Sequence, residues 1–294
     1  MIKKIINLNV GEVLENVDLE NYTTYKLKGK LKVIVIPENL EKLIKLIKFL
    51  KTENIKYKIL GNGSNLIFVN NYDGVLIKLD KLNNLEIKDN IINVEAGYSL
   101  IKLSLLTAKQ GLSGLEFASG IPGTVGGAVY MNAGAYKEDM ASIIKYIEVL
   151  DENLNVIKID KENLEFGYRK SLLQTKKYIC LNVCLELKKG NIDEIMDLIQ
   201  TRKQKRLETQ PLEYPSAGSV FRNPDGMFAG KLIEDLNLKG LSVGDAVVST
   251  KHANFIINKG KATGKDVKEL IGIIKNKVKD KYNIDLLVEQ EFVE

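Results

Sequence analysis

The sequence predicts an α+β protein in which two small α/β units precede a C-terminal α+β unit. Three observations lead there. Apolar residues switch repeatedly between a period of two and a period near 3.6, as alternating strands and helices require. At 294 residues the chain is long for one core and suits two or three domains packed together. One glycine-rich run follows directly on a strand pattern, and a second follows a strand and helix.

The first unit, residues 1–82, reads strand, helix, strand. LKVIVI at 31–36 is the first strand, ended by Pro37, and Leu40, Leu43, Ile44, Ile47 and Leu50 then recur at helical spacing. IKYKIL at 55–60 runs straight into Gly61-Asn62-Gly63-Ser64-Asn65. VLIKL at 75–79 follows a turn-like Asn-Asn-Tyr-Asp-Gly at 70–74. The second unit, 83–190, opens with a strand at 91–97 and a helix from Ser99 to Gln110 stopped by Gly111. Strands follow at 145–150, 155–159 and 178–187, the first two joined by a polar turn. A connecting helix at 191–208 sets Ile192, Ile195, Met196 and Ile199 on one face. The cluster Arg202, Lys203, Lys205 and Arg206 reads as its solvated side.

The third unit, 209–294, carries the loop EYPSAGSVFRNPDG, a short helix at 230–238 and a strand at 253–258. A longer helix opens with the capping sequence Thr263-x-x-Asp266 and buries Val267, Leu270, Ile271, Ile274 and Val278. IDLLVEQEFVE at 284–294 reads as a last strand.

With 45% hydrophobic and 28% charged residues, the composition argues against disordered, coiled-coil and membrane classes. No apolar run reaches the roughly 18 residues of a membrane span. The N-terminus lacks the apolar core and small-residue cleavage site of an export signal, so a cytoplasmic enzyme is expected. The net charge of +5 suits nucleic acid, an anionic membrane or anionic metabolites. Lysines are scattered and do not interleave with aromatics, which argues against nucleic acid. Cys180 and Cys184 lie on one strand with Cα atoms roughly 13 Å apart, beyond disulfide reach. The single histidine, His252, excludes a zinc site of several histidines and a paired-histidine mechanism.

Between Gly114 and Tyr136 stand six glycines and no lysine or arginine. Glycine permits φ > 0 and removes the Cβ that keeps a ligand away, so main-chain N–H groups can converge on a phosphate-bearing cofactor. An ordinary surface loop would not need Ile121, Val125, Val129 and Met131. Gly61–Asn65 offers two glycines, a hydroxyl and two amides at a strand end, but neither a Rossmann fingerprint nor a Walker loop. Together the two segments suit an extended dinucleotide. Only four arginines stand among the 43 lysines and arginines, so Arg169 reads as a place where the planar fork matters, or as a surface salt bridge. Ser219 sits among small residues that would expose its hydroxyl, or let it cap a turn. Glu289 and Glu291 fall on the Leu287/Val293 face of the last strand, opposite Val288, Gln290 and Phe292. Burial on such a face can favour the protonated form of a carboxyl, so either residue is a candidate proton donor.

In order, the chain carries Gly61-Asn-Gly-Ser-Asn, Ile121-Pro-Gly-Thr-Val-Gly-Gly, Asn132-Ala-Gly-Ala-Tyr136 and Tyr168-Arg169-x-Ser171. Gly218-Ser-Val-Phe-Arg-Asn-Pro224, Ala229-Gly-Lys-Leu-Ile233, Lys251-His-Ala-Asn-Phe255 and Glu289 follow. This series resembles the UDP-N-acetylenolpyruvoylglucosamine reductase family over nearly the whole chain. The resemblance implies a vanillyl-alcohol-oxidase-type FAD fold, with two FAD-binding subdomains and a C-terminal substrate domain. It also implies NADPH as co-substrate, a UDP-sugar substrate and a role in peptidoglycan synthesis. The reaction that the resemblance implies has NADPH reduce the flavin, hydride pass to C3 of an enolpyruvyl group and a proton add at C2.

By the same resemblance, FAD is held by Gly61, Asn62, Gly63, Ser64 and Asn65, by Ser119, Ile121, Pro122, Gly123, Thr124, Gly126 and Gly127, and by Asn132, Ala133, Gly134, Ala135 and Tyr136. Ser219 is the proton donor, and Arg169 and Glu289 stabilise the enol-like intermediate. Tyr168, Arg169, Arg222, Asn223, Lys231, Lys239 and His252 meet the substrate. Neither a metal nor a covalent flavin link is expected, and a monomer without nucleic-acid or membrane partners is. The chain departs from the family at Lys137-Glu138-Asp139, where a Gly-Gly-Glu-like turn is usual. The short interval from Asn223 to Ala229 matches the compact second type. Another FAD-dependent oxidase or dehydrogenase of this fold, acting on a small alcohol or acid, would share the FAD segments but not the Ser219 and Glu289 motifs.

Overall fold

The computed structural model describes all 294 residues. The chain opens with α1 (Ile2–Asn7) and β1 (Gly11–Asp18), then β2 (Lys30–Pro37), α2 (Leu40–Thr52), β3 (Tyr57–Leu60), β4 (Leu66–Phe68) and β5 (Tyr72–Lys78). Next come β6 (Leu85–Lys88), β7 (Ile91–Glu95), α3 (Leu100–Lys109), β8 (Leu112–Ser113), α4 (Val125–Tyr130), β9 (Gly134–Ala135) and β10 (Glu138–Asp139). β11 (Ile144–Leu150), β12 (Val156–Asp160), β13 (Ile179–Glu186), β14 (Lys188–Lys189) and α5 (Ile192–Thr209) follow. The C-terminal part adds α6 (Ala229–Asp235), β15 (Ser242–Val243), β16 (Ala246–Val248), β17 (Ile256–Asn258), α7 (Gly264–Tyr282) and β18 (Glu291–Val293).

These elements fall into two compact units. The first comprises Met1–Leu14, Ile34–Asn62 and Val75–Gln204, and the second Glu15–Val33, Gly63–Gly74 and Lys205–Glu294. A four-stranded sheet has the order β1-β2-β5-β3, with β3 and β5 parallel. In the first unit an antiparallel sheet of order β12-β11-β13-β7-β6 buries Ile92, Val94, Ile147, Val149, Val183 and Leu185. Helix α2 begins at Asn39, whose side chain accepts from the Lys42 N–H at 3.0 Å, and buries Leu43, Leu46, Ile47 and Leu50. Ser99 caps α3 in the same way. Ile195 and Ile199 of α5 pack on Ala108 of α3.

In the second unit α7 carries a complete capping box, since Thr263 and Asp266 each accept the other's main-chain N–H. Its stripe Val267, Leu270, Ile271, Ile274 and Val278 is buried, and the helix ends at Asn283 with φ 55°. The sheet β15-β16-β17 is antiparallel, and β18 lies parallel to β4. No helix is long and apolar enough to cross a membrane.

Several expected boundaries move. Regular pairing in the last segment is confined to Glu291–Val293, because residues 287–289 instead meet the chain at 220–222 through isolated bonds. The alternation expected there fails too: Leu287 is exposed while Gln290 is buried. β5 starts at Tyr72, inside the expected turn at 70–74, and β17 starts only at Ile256. α1 and β1 had no counterpart among the expected elements. β1 buries neither face, and Asn16 breaks it with φ 50°, so it has no clean period of two. Cys180 and Cys184 are buried free thiols.

Candidate active site

Gly61 ends the run from β3, and the segment leading into α4 comes against it. A Cβ on Gly61 would stand 2.9 Å from Thr124 Oγ1, so within the first unit the two glycine-rich segments meet. Thr124 also caps α4 through the Gly127 N–H, and Val125 and Gly126 donate to Tyr98 and Ala96 carbonyls at 2.9 Å. Gly126 has no choice of residue: a Cβ there would lie 2.7 Å from the Ala96 Cβ. Gly123 differs. Its φ is outside the left-handed region and a Cβ would meet nothing within 4 Å, so the protein's own packing does not ask for glycine. The space beside it suits a group supplied from outside, and the phosphates of a dinucleotide fit a wall of main chain and small residues. Lys78, at the end of β5, sends Nζ to the Gly61 carbonyl at 3.1 Å. This cation was missed in the sequence, where it is one lysine at the end of an apolar strand.

The expected use of φ > 0 needs correction. Among the glycines of the two runs only Gly63 and Gly114 take a positive φ; Gly61, Gly126 and Gly134 act instead through the missing Cβ, which would meet a neighbouring atom within 3 Å. Gly63 packs on its own unit, where a Cβ would come 2.3 Å from the Tyr22 carbonyl oxygen. Asn65 also works within that unit: Nδ2 donates to the Glu289 carbonyl at 3.2 Å and its carbonyl accepts from Glu291 N–H at 2.9 Å.

β9 and β10 form a hairpin whose two turn residues, Tyr136 and Lys137, have φ 58° and 67°. That is the dihedral signature of a two-residue turn that favours Asn-Gly, here built from a tyrosine and a lysine. Asn132, buried and at φ 41°, ties the hairpin down. Its Nδ2 donates to Asp139 at 3.0 Å and to the Gly167 carbonyl at 2.9 Å, and its Oδ1 accepts from Ala141 N–H. Gly167 and Lys170 exchange main-chain hydrogen bonds, which puts Tyr168 and Arg169 at the tip of a tight turn with Arg169 at φ 55°. Arg169 Nη2 donates to the Gly134 carbonyl at 2.7 Å. A left-handed non-glycine residue held this firmly is the kind of local strain found where a side chain must be aimed.

Arg202 overturns its reading as part of a solvated face. Its side chain is 12% exposed, with Nη1 2.7 Å from Glu138 Oε2. The two atoms are not aligned as a hydrogen bond, so their attraction is mainly Coulombic. The guanidinium lies 4.7 Å from the Tyr136 ring centroid, and Tyr136 Oη donates to the Arg202 carbonyl at 3.2 Å. A helical face rich in lysine concealed an arginine that turns inward onto the hairpin.

In the second unit Gly218 takes φ 75° with nothing within 4 Å of where a Cβ would stand, and Ser219 follows on a bridge to Phe255. Val220 donates to the Asn254 carbonyl at 2.9 Å, and the buried Asn254 side chain exchanges two bonds with the Phe221 main chain. Glu289 N–H donates to the Val220 carbonyl at 2.8 Å, so Ser219 and Glu289 are carried by neighbouring stretches of one unit. The His252 ring lies 4.8 Å from the Phe255 ring, its Nδ1 accepts from Asn254 N–H, and burial holds its pKa below the ordinary value. Lys231 and Lys239 pair with Asp235 and Glu234, both at 2.6 Å. Asn223 Oδ1 accepts from the Ala229 N–H at the start of α6, and Arg222 N–H donates to the Leu287 carbonyl.

Comparison with known proteins agrees with this geometry. Residues 31–160 match a family model described as an FAD binding domain, and 210–293 match the C-terminal domain of UDP-N-acetylenolpyruvoylglucosamine reductase. The UDP-N-acetylenolpyruvoylglucosamine reductase of Anoxybacillus flavithermus is 47% identical over 99% of this chain and 97% of its own length. That of Clostridium novyi is 45% identical over 97% and 94%. The crystal structure of the Thermus caldophilus enzyme superposes with a TM-score of 0.83 at 36% identity, covering 96% of this chain and 99% of that one. The expected α+β fold with FAD-binding segments is the one found. The chain belongs to the UDP-N-acetylenolpyruvoylglucosamine reductase family and is an FAD-dependent oxidoreductase.

Proposed function

We propose that the chain reduces the enolpyruvyl group of UDP-N-acetylglucosamine enolpyruvate to UDP-N-acetylmuramate, a step of peptidoglycan precursor synthesis, with NADPH as co-substrate. The observation that carries this reading is full-length similarity to named reductases together with the family's Ser219, Arg169 and Glu289 motifs. An oxidase or dehydrogenase of a small alcohol or acid would not need that set. When bound, FAD supplies the hydride relay between NADPH and C3 of the enolpyruvyl group. Gly61, Asn62, Gly123, Thr124 and Gly127 are the residues we assign to its diphosphate, with Lys78 adding positive charge.

Hydride addition at C3 builds negative charge toward the substrate carboxylate. We assign Arg169, with its planar guanidinium fork, and Glu289 to stabilising the enol-like intermediate. Ser219 gives its hydroxyl proton to C2. Serine is a weak acid in water, so this role depends on tight placement against a strongly basic carbon. Lys231, Lys239, His252, Arg222, Asn223 and Tyr168 are assigned to the diphosphate and sugar of the substrate. We read the enzyme as a cytoplasmic monomer acting on a free sugar nucleotide, without nucleic-acid or membrane partners.

The test uses the FAD-loaded protein under anaerobic conditions. Ser219→Ala is expected to bleach with NADPH at close to the parent rate and to lose recovery of colour on adding the enolpyruvyl sugar nucleotide. Equal loss in both half-reactions would remove Ser219 from the proton-transfer step.

A further inference from the structure

Gln290 stands beside Glu289 and is buried, 3% exposed, although strand alternation placed it on no functional face. Its Nε2 faces three consecutive main-chain carbonyls, those of Ala217 at 3.0 Å, Gly218 at 3.2 Å and Ser219 at 3.4 Å. Its Oε1 accepts from the hydroxyl of Tyr25, a fully buried residue, at 3.2 Å. An amide nitrogen can only donate and its oxygen only accept, so the three carbonyls and the phenol fix which way the amide faces. Both ends of the side chain are therefore committed.

The segment it holds needs holding. Gly218 sits at φ 75° and has nothing within 4 Å of where a Cβ would stand, so no side-chain packing anchors it at that point. Main-chain pairing with the neighbouring stretch at 254–255 begins only at Ser219, through its bridge to Phe255 and the Val220 N–H on the Asn254 carbonyl. We propose that Gln290, steadied by Tyr25, is a positioning residue for Ser219: it pins the carbonyls of residues 217–219 and so fixes the direction of the serine hydroxyl. The proposal rests on the assignment of Ser219 as proton donor. It has a sharp physical consequence, because a displacement of about 1 Å at a reacting group can cost about 100-fold in rate.

The experiment compares Gln290→Met, similar in length but unable to donate, with Tyr25→Phe, which keeps the amide and frees its oxygen. Both half-reactions of the FAD-loaded enzyme are followed anaerobically, with thermal midpoints and the solvent deuterium isotope effect on recovery of colour. Gln290→Met is expected to slow recovery by the enolpyruvyl sugar nucleotide roughly 10- to 100-fold. Bleaching by NADPH should stay within about two-fold, KM for the sugar nucleotide should hold, and the isotope effect should rise as proton delivery becomes limiting. Tyr25→Phe should move the same quantities in the same direction by a few-fold, and it carries the test alone if Gln290→Met does not fold. A folded variant that recovers colour at the parent rate overturns the proposal, as does equal slowing of both half-reactions with a lowered midpoint. Ser219→Ala separates the two ideas: if it recovers normally, the proton-donor assignment fails whatever Gln290 does.

Discussion

His252 is the chain's single histidine, and its environment makes it a sensor of acid. Burial beside Phe255 lowers its pKa below the ordinary 6.5, while the unfolded chain protonates near that value. Below pH 6.5 the unfolded state therefore binds the extra proton more readily, and stability falls as the pH drops toward and through the folded-state value. Above 6.5 both states are neutral at this residue and the slope vanishes. His252→Gln keeps an acceptor near the Asn254 N–H but does not titrate. Thermal midpoints measured between about pH 5 and 7 should be flatter in the variant than in the parent. An unchanged slope would place the acid sensitivity elsewhere. The neutral imidazole also fits a residue that donates one hydrogen bond to a substrate rather than pairing with its charge.

At the scale of elements, the β9–β10 hairpin shows what a tight turn built without glycine costs. Tyr136 and Lys137 both occupy left-handed φ, which burdens a residue with a Cβ by about 1–2 kcal/mol. The hairpin is nonetheless fixed by Arg202, Asn132 and the Gly134 carbonyl that receives Arg169. Lys137→Gly should relieve the strain at some loss of backbone entropy, with a net gain of about 0.5–1 kcal/mol in chemical denaturation. A net loss would mean that the lysine side chain, not the turn, sets the local energy. The same hairpin marks what the sequence could reveal. Helices α2, α3 and α7 announce themselves because a buried stripe and a capping side chain are both local signals. Arg169 could be singled out because arginine is rare here. Arg202 could not, since its inward turn depends on a partner 64 residues away, and Gln290 could not, since residues 287–289 pair irregularly with a distant segment.

For the whole molecule, the sharpest link between sequence and function is the coupling of stability to FAD. A ligand that binds only the folded chain stabilises it by mass action, about 2.7 kcal/mol at 100 times its dissociation constant. Two glycines three residues apart separate that effect from ordinary packing. A side chain at Gly126 must displace Ala96, so Gly126→Val is expected to lower the stability of the FAD-free protein by about 1–3 kcal/mol, the usual cost of overpacking. A Cβ at Gly123 meets no atom within 4 Å beyond its chain neighbours, so Gly123→Val should leave the FAD-free protein within about 0.5 kcal/mol of the parent. What Gly123→Val should lose is the increment that FAD adds, read as the difference in denaturation midpoint with and without saturating FAD. If Gly123→Val keeps that increment, the space beside Gly123 is not where the dinucleotide lies. If it destabilises the FAD-free protein as Gly126→Val does, glycine there serves the fold, and the diphosphate must be assigned to the Gly61 side of the cradle alone.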